Sequence, residues 1–216
     1  MTHFGNLFII SAASGAGKTS LVKSIIKKVN NIELSISYTT RARRPHEQEG
    51  VDYFFINQEA FLLMKNNGEF LESAKVFDNY YATSKLFVQN ILASSKDVIL
   101  EIDWQGANHI KQQINSWPID VKGHKIPCVS IFILPPSLQS LSERLLARGQ
   151  DKLDTIKKRL SAVKKETEHY INYDYLIIND DFDRATQDLA AIINAQRLTT
   201  DNQKIAYASL INSLLA

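Results

Sequence analysis

The ten residues SAASGAGKTS at positions 11–20 constrain this chain more than any other stretch. They end the apolar run LFIIS (7–11) and lead into TSLVKSIIKKV, where Leu21, Val22, Ile25, Ile26 and Val29 recur at helical spacing. A short buried strand, a glycine-rich turn and a helix in that order can wrap an anion. Consecutive backbone N–H groups then point inward, with the positive end of the helix behind them.

The pattern G-x-x-x-x-G-K-[ST] is met at Gly17, Lys18 and Thr19, but its first glycine is replaced by Ala12. Glycine is required where φ is positive or where a side chain would obstruct the anion. Gly15 and Gly17 occupy the tightest part of the turn. Ala12 stands at the strand exit, where a methyl group is tolerated if φ stays negative. The sequence therefore predicts a working phosphate loop for ATP built from Ala12, Ala13, Ser14, Gly15, Ala16, Gly17, Lys18, Thr19 and Ser20. Lys18 is expected on the β- and γ-phosphates, and the Thr19 hydroxyl on Mg2+. The bland reading is a glycine-rich turn with a solvated lysine, and the strand-to-helix placement argues against it. A dinucleotide fingerprint does not compete, because its third glycine would fall at Ser20.

Three further apolar runs, DVILEID (97–103), CVSIFIL (128–134) and YLIIND (175–180), read as buried parallel strands. Helical patterns separate them, including GANHIKQQI and the charged stretch 137–171. Strands alternating with helices predict an α/β fold with a parallel sheet. Residues 37–88 are different: GVDYFFIN and FLESAKVFDNYYATS are short, aromatic and alternating, as in a small antiparallel sheet. The expected organisation is core at 1–36, a substrate-binding insert at 37–88, core at 89–136, a helical lid at 137–171 and core at 172–216. SWPIDVKGHKIP (116–127) reads as a surface loop.

A length of 216 residues suits one domain with inserted subdomains, and a net charge of +2 argues against general nucleic-acid binding. The single cysteine, Cys128, excludes an intrachain disulfide and a thiolate metal site, and its apolar setting predicts an inert buried thiol. The N-terminus lacks a basic leader region, and no apolar run is long enough to span a bilayer. The expectation is a cytoplasmic protein acting on small molecules, without nucleic-acid or membrane partners. Its oligomeric state is left open.

The stretches SGAGKTSL, SISYTTRARRPHEQEGVDYFF, GEFLESAKVFDNYYATS, EIDWQG and RLLARGQD, in that order through nearly the whole chain, resemble a bacterial guanylate kinase. The resemblance implies the three-layer P-loop fold, an inserted GMP-binding subdomain of mixed or antiparallel sheet, and a mobile helical lid. It implies the reaction ATP + GMP giving ADP + GDP, with dGMP as a further acceptor and Mg2+ accompanying ATP. Arg41, Arg44, Tyr53 and Tyr81 are then expected on the GMP phosphate, with Glu47 in the same site and able to position an arginine. Glu72 and Glu101 match the two base-reading positions, Ser37 the O6 contact and Thr83 a small hydroxyl facing the base. Arg144, Arg148 and Arg159 match the clamp on the transferred group, with Arg148 also toward adenine. Asp103 is expected to organise Mg2+ through water. The chain departs from the family at Ala12, at Ala82 where glycine is common, and at Glu101 where aspartate is usual.

Residue chemistry agrees with that assignment. Arginine forks bind phosphate oxygens bidentately and tyrosine hydroxyls add neutral donors. Ionised carboxylates only accept, so they suit the guanine edge, which donates N1–H and an NH2, and leave the N1 acceptor of adenine unmatched. Glu101 and Asp103 are two residues apart and are expected to face one crevice at a strand end. Arg144 and Arg148 are four apart, hence on one helical face. A protein general base is unnecessary, because a phosphate monoester with a second pKa near 6 is already an anionic nucleophile at neutral pH. Two alternatives stand beside this reading: a ribose-bisphosphate kinase, which has no use for carboxylates aimed at a purine edge, and a catalytically inactive guanylate-kinase-like interaction module, which would not need Lys18, Thr19, Asp103 and the three arginines.

Overall fold

The computed structural model describes residues 5–76, 78–113, 126–147 and 153–216, with backbone alone for 153–159. In chain order the elements are β1 (Leu7–Ala12), α1 (Lys18–Lys28), β2 (Ile32–Leu34), β3 (Tyr38–Thr39), β4 (Phe54–Phe55), α2 (Gln58–Asn66), β5 (Phe70–Val76), β6 (Asn79–Ser84) and α3 (Lys85–Ala93). They continue as β7 (Asp97–Glu101), α4 (Trp104–Gln113), β8 (Cys128–Leu134), α5 (Leu138–Ala147), α6 (Leu153–Thr167), a 3-10 turn at Glu168–Asn172, β9 (Tyr175–Ile178), α7 (Phe182–Arg197), α8 (Thr200–Ala206) and α9 (Ala208–Leu215).

Alternation along β1 explains the layers. Phe8 and Ile10 point to one side of the sheet, Leu7 and Ile9 to the other, and all four are fully buried. A strand buried on both faces needs helices on both. Leu21, Val22 and Ile25 of α1 and Ala185, Leu189 and Ile193 of α7 cover the Phe8 side. Val88, Ile91 and Leu92 of α3 and Ala107 and Ile110 of α4 cover the Leu7 side. Each leucine, valine or isoleucine among them contributes roughly 1.5–3 kcal/mol on burial.

The core sheet has five strands in the order β2-β7-β1-β8-β9, all parallel. In this register Ile10 of β1 stands beside both Glu101 and Ile131. The C-terminal end of β7 is thereby set next to the loop that follows β1, the edge of an open parallel sheet at which ligands bind.

The insert forms a second sheet in the order β4-β3-β6-β5. β3 pairs antiparallel with β6, and β5 antiparallel with β6, but β4 runs parallel to β3 through Tyr38 and Phe54. The sheet is therefore mixed, because the chain after β3 returns alongside it before entering α2. The aromatic residues that marked this region pack on one another: Phe61 lies 4.9 Å from Phe70 and 5.2 Å from Tyr80 between ring centroids. A pairing irregularity between Phe70 and Glu72 precedes the Glu72–Thr83 pair, and bulges of this kind re-aim side chains.

Some elements carry no signal in the sequence. β2 has three residues, of which only Ile32 is buried, too few for a periodicity. α3 begins at Lys85 and runs past the expected insert boundary at 88, tying that segment to the core through Val88, Ile91 and Leu92. Apart from Ile126 and Pro127, the expected loop at 116–127 lies outside the described residues, as does Gly149 between the two lid helices.

Candidate active site

The phosphate loop is buckled where the glycines stand. Gly15 and Gly17 have φ of 93° and 95°, in the left-handed region that side chains rarely adopt. Ala12 is not among the positive-φ residues; it is the last residue of β1 and pairs with Ile133. That is why alanine is accepted there. A Cβ on Gly17 would also lie 2.4 Å from Nδ2 of Asn179. This amide donates to the Ala16 carbonyl at 2.7 Å, and Arg144 donates to the same carbonyl at 3.3 Å and to the Asn179 carbonyl at 2.9 Å. Asn179 after β9 and Arg144 of α5 thus brace the loop through its Ala16 carbonyl.

Helix α1 begins at Lys18 without a side-chain cap and without an acidic residue in its first turn. Elsewhere Asn57 caps α2, Ser84 caps α3 and Asp181 caps α7. The N-terminal N–H groups of α1 are left for an outside acceptor, as an anion site requires. Lys18 folds back to donate to the Ile102 carbonyl at 2.9 Å. An open cleft of about 470 Å3 lies over this loop, bounded by Gly15, Gly17, Ser20, Arg144, Asn179 and Phe182. Sequence reasoning missed Asn179 and Phe182. The available signal was the position of Asn179, directly after the last residue of a core strand.

Helices α5 and α6 rest on the same loop. Ala13 packs with Leu141, Leu145 and Val163 in one apolar cluster. The backbone N–H of Ser14 donates to a carboxylate oxygen of Glu166 on α6 at 2.8 Å. Arg148 lies outside the described residues, and Arg159 is described only by its backbone place in α6.

At the end of β7 the two expected carboxylates part company. Glu101 accepts a hydrogen bond from the Thr19 hydroxyl. Asp103 accepts from the Gly106 N–H at 2.9 Å and from the Gln105 side chain at 2.9 Å, which makes it the cap of α4. The strand stops at Glu101, so its alternation does not extend to Asp103. Asp103 remains close enough for its charge to act on Glu72.

The insert gathers the other expected residues around Glu47. One of its oxygens accepts from Arg41 Nη2 at 2.6 Å and lies 3.7 Å from Arg44 Nη1, and the other accepts from the Arg44 backbone N–H at 2.8 Å. Burial works against the Arg41 charge, but the hydrogen bond and charge of Glu47 together with Tyr81 more than offset this and hold its pKa above the ordinary value. Burial likewise opposes the Glu47 charge, and Arg41 and Arg44 together hold its carboxyl below the usual range. The Arg41 guanidinium sits 5.5 Å from the Tyr53 ring centroid, and Tyr53 meets Tyr81 edge-on at 5.9 Å. Burial first, then the charge of Glu101, pushes the Tyr53 hydroxyl upward, so it stays a neutral donor. Arg43 is exposed and belongs to none of this.

Glu72 is 4% exposed and accepts the Thr83 hydroxyl at 2.7 Å. Desolvation raises its pKa to about 7; the Thr83 hydrogen bond and Lys18 oppose that rise, and Asp103 adds to it. Ser37 is half-buried, and its carbonyl accepts from the Phe54 N–H at 2.9 Å. Outside the site, burial pushes the Cys128 thiol up to about 12, the state of an inert thiol. His46 and His109 are exposed, while His169 stacks on Trp104 with ring centroids 3.6 Å apart. Among the described residues no helix is long and apolar enough to cross a membrane, and no group of three or more His, Cys, Asp or Glu could hold a metal.

Comparison with known proteins matches the sequence and fold of this chain to a named family. The guanylate kinase family profile matches residues 5–196. The chain is 48% identical over 216 residues to a guanylate kinase of Saccharophagus degradans, covering 100% of both chains. It is 48% identical over 212 residues to a guanylate kinase of Legionella pneumophila, covering 98% of this chain and 96% of the relative. Its fold is similar to the crystal structure of guanylate kinase from Anaplasma phagocytophilum, with a TM-score of 0.74, 31% identity, and coverage of 93% and 90% of the two chains.

Proposed function

The chain belongs to the guanylate kinase family, and from that premise we infer that it transfers the γ-phosphoryl group of ATP to GMP, giving ADP and GDP. The observation that carries the assignment of residues is the pairing of two anion sites of different construction. One is the uncapped start of α1 behind Gly15 and Gly17, where a nucleoside triphosphate fits. The other is the arginine pair Arg41 and Arg44, set by Glu47, with Tyr53 and Tyr81 beside it. A buried carboxylate, Glu72, stands with the second site and reads the base.

In this reading the N–H groups of residues 15–20 hold the β- and γ-phosphates of ATP, and Lys18 leaves the Ile102 carbonyl to join them. The GMP phosphate binds Arg41, Arg44, Tyr53 and Tyr81. Its guanine donates to Glu72, with Ser37 and Thr83 completing the pocket. Glu101 bridges the two halves: it accepts from Thr19 on the donor side and acts on Tyr53 on the acceptor side. Arg144, Arg148 and Arg159 stabilise charge spread over the transferred group. Closure of the lid and insert excludes water, so ATP hydrolysis without GMP should be slow.

Thr19, Glu101 and Asp103 offer hard oxygen donors, and the described residues contain no cage of three or more carboxylates. That donor set fits Mg2+ arriving with the ATP phosphates and keeping much of its water. When bound, the ion neutralises charge on the phosphate oxygens. Asp103, already occupied as the cap of α4, would reach it through water.

The test is ADP release measured with GMP, dGMP and AMP as acceptors. GMP should be strongly preferred over AMP, and Lys18→Ala should abolish turnover with every acceptor. A folded chain inert toward GMP would overturn the reading.

A further inference from the structure

We propose that Gly106, in the first turn of α4, determines purine specificity by fixing the position of the Glu72 carboxylate. This rests on the reading of Glu72 as the base-reading residue.

A Cβ built on Gly106 would lie 2.5 Å from Glu72 Oε2, 3.0 Å from its Cδ and 3.5 Å from its Cγ. Gly106 needs no left-handed backbone, so the cost of a side chain there is one of space alone and falls on Glu72. By helix propensity alanine would be preferred at this position. The glycine therefore serves the close approach of the helix to the carboxylate.

The helix forms the rigid side of this contact. Its start is capped by Asp103, which accepts the Gly106 N–H at 2.9 Å, and Ala107 and Ile110 anchor it in the core. Glu72 is held from the other side by the Thr83 hydroxyl at 2.7 Å. The colliding atoms belong to the end of a side chain, not to backbone, so the fold can absorb a methyl group. What must move is the carboxylate, which then loses Thr83 or enters the space of the base. Gly106 touches no reacting atom and is a positioning residue.

The experiment compares the wild-type chain with Gly106→Ala, Glu72→Gln, Glu72→Asp and the double variant Gly106→Ala/Glu72→Asp. Thermal midpoints and KM and kcat for ATP, GMP and AMP are measured. Gly106→Ala should fold with an unchanged or higher midpoint and an unchanged KM for ATP. Its KM for GMP should rise at least about tenfold, the order expected for displacing a contact by roughly an ångström, and its preference for GMP over AMP should fall in step. Shortening the carboxylate should restore room, so Glu72→Asp should improve GMP binding in the Gly106→Ala background although it impairs it alone. If Gly106→Ala binds GMP like the wild type while Glu72→Gln loses base preference, the role of Gly106 is wrong and the base reading stands. If Glu72→Gln keeps the preference, the base reading itself falls. If Gly106→Ala does not fold, the helix and not the carboxylate has given way, and the proposal is overturned.

Discussion

Glu166 on α6 accepts a hydrogen bond at 2.8 Å from the backbone N–H of Ser14, a contact across 152 residues of sequence that ties this helix to the phosphate loop. A hydrogen bond to a charged partner is worth about 1.5–3 kcal/mol, less where it is only partly buried. Glu166→Ala should therefore raise the KM for ATP by roughly tenfold. Glu166→Gln, which keeps an acceptor and removes the charge, should stay closer to the wild type. Steady-state kinetics with ATP as the varied substrate checks both, with the KM for GMP as the internal reference.

Glu72 makes the protein pH-dependent in two ways. Its folded pKa of about 7 lies above its ordinary value of 4.5. The native state therefore binds this proton more tightly than the unfolded chain, a stabilisation fully present below pH 4.5 and lost as pH rises through about 7. The loss amounts to roughly 3 kcal/mol by pH 8 at about 1.4 kcal/mol per unit. Glu72→Gln should accordingly raise the thermal midpoint most at pH 8 and least at pH 5, as differential scanning calorimetry can follow.

If Glu72 reads the base as proposed, the same ionisation governs acceptor binding, because only the ionised carboxylate accepts both guanine donors. The kcat/KM for GMP should fall as pH drops below about 7, whereas that for ATP should not share this inflection. In Glu72→Gln the step near neutrality should vanish, leaving the titration of the GMP phosphate near pH 6.

Glu47 holds Arg41 and Arg44 and in the proposed acceptor site is not itself a donor to phosphate. Glu47→Ala leaves Arg41 and Arg44 unpositioned and should weaken GMP by roughly 1–3 kcal/mol, about tenfold to a hundredfold in KM, with little change for ATP. Glu47→Gln should recover part of the loss through its remaining acceptor. Isothermal titration with GMP and with an ATP analogue separates the two sites.

Asp97 offers a stability prediction without a functional one. It starts β7, at the opposite end of that strand from Glu101, and is 4% exposed. One oxygen accepts from the Asn6 N–H and side-chain amide at 2.7 Å each, and the other from Arg197 Nε at 2.7 Å. Asp97→Ala leaves these donors unsatisfied and should destabilise the fold by about 3 kcal/mol. Below the unfolding transition, its KM for ATP and GMP should match the wild type.

The sequence by itself determined what neighbouring residues decide together. Glycine spacing placed the phosphate loop, and the apolar runs at 97–103, 128–134 and 175–180 placed three strands of the core sheet, because backbone geometry and side-chain alternation repeat over a few residues. The last is not the buried strand expected: β9 lies at the sheet edge, with Tyr175, Leu176 and Ile178 exposed and only Ile177 buried. The tertiary structure alone decided which side chains meet. Glu101 found Thr19 across 82 residues, Asn179 found the Ala16 carbonyl across 163, and Gly106 came against Glu72 from a different layer. Asp103, two residues beyond Glu101, turned to its own helix because the strand ended first. Local pattern sets the conformation of an element, whereas contacts between elements depend on how sheets and helices stack, and no short window of sequence contains that information.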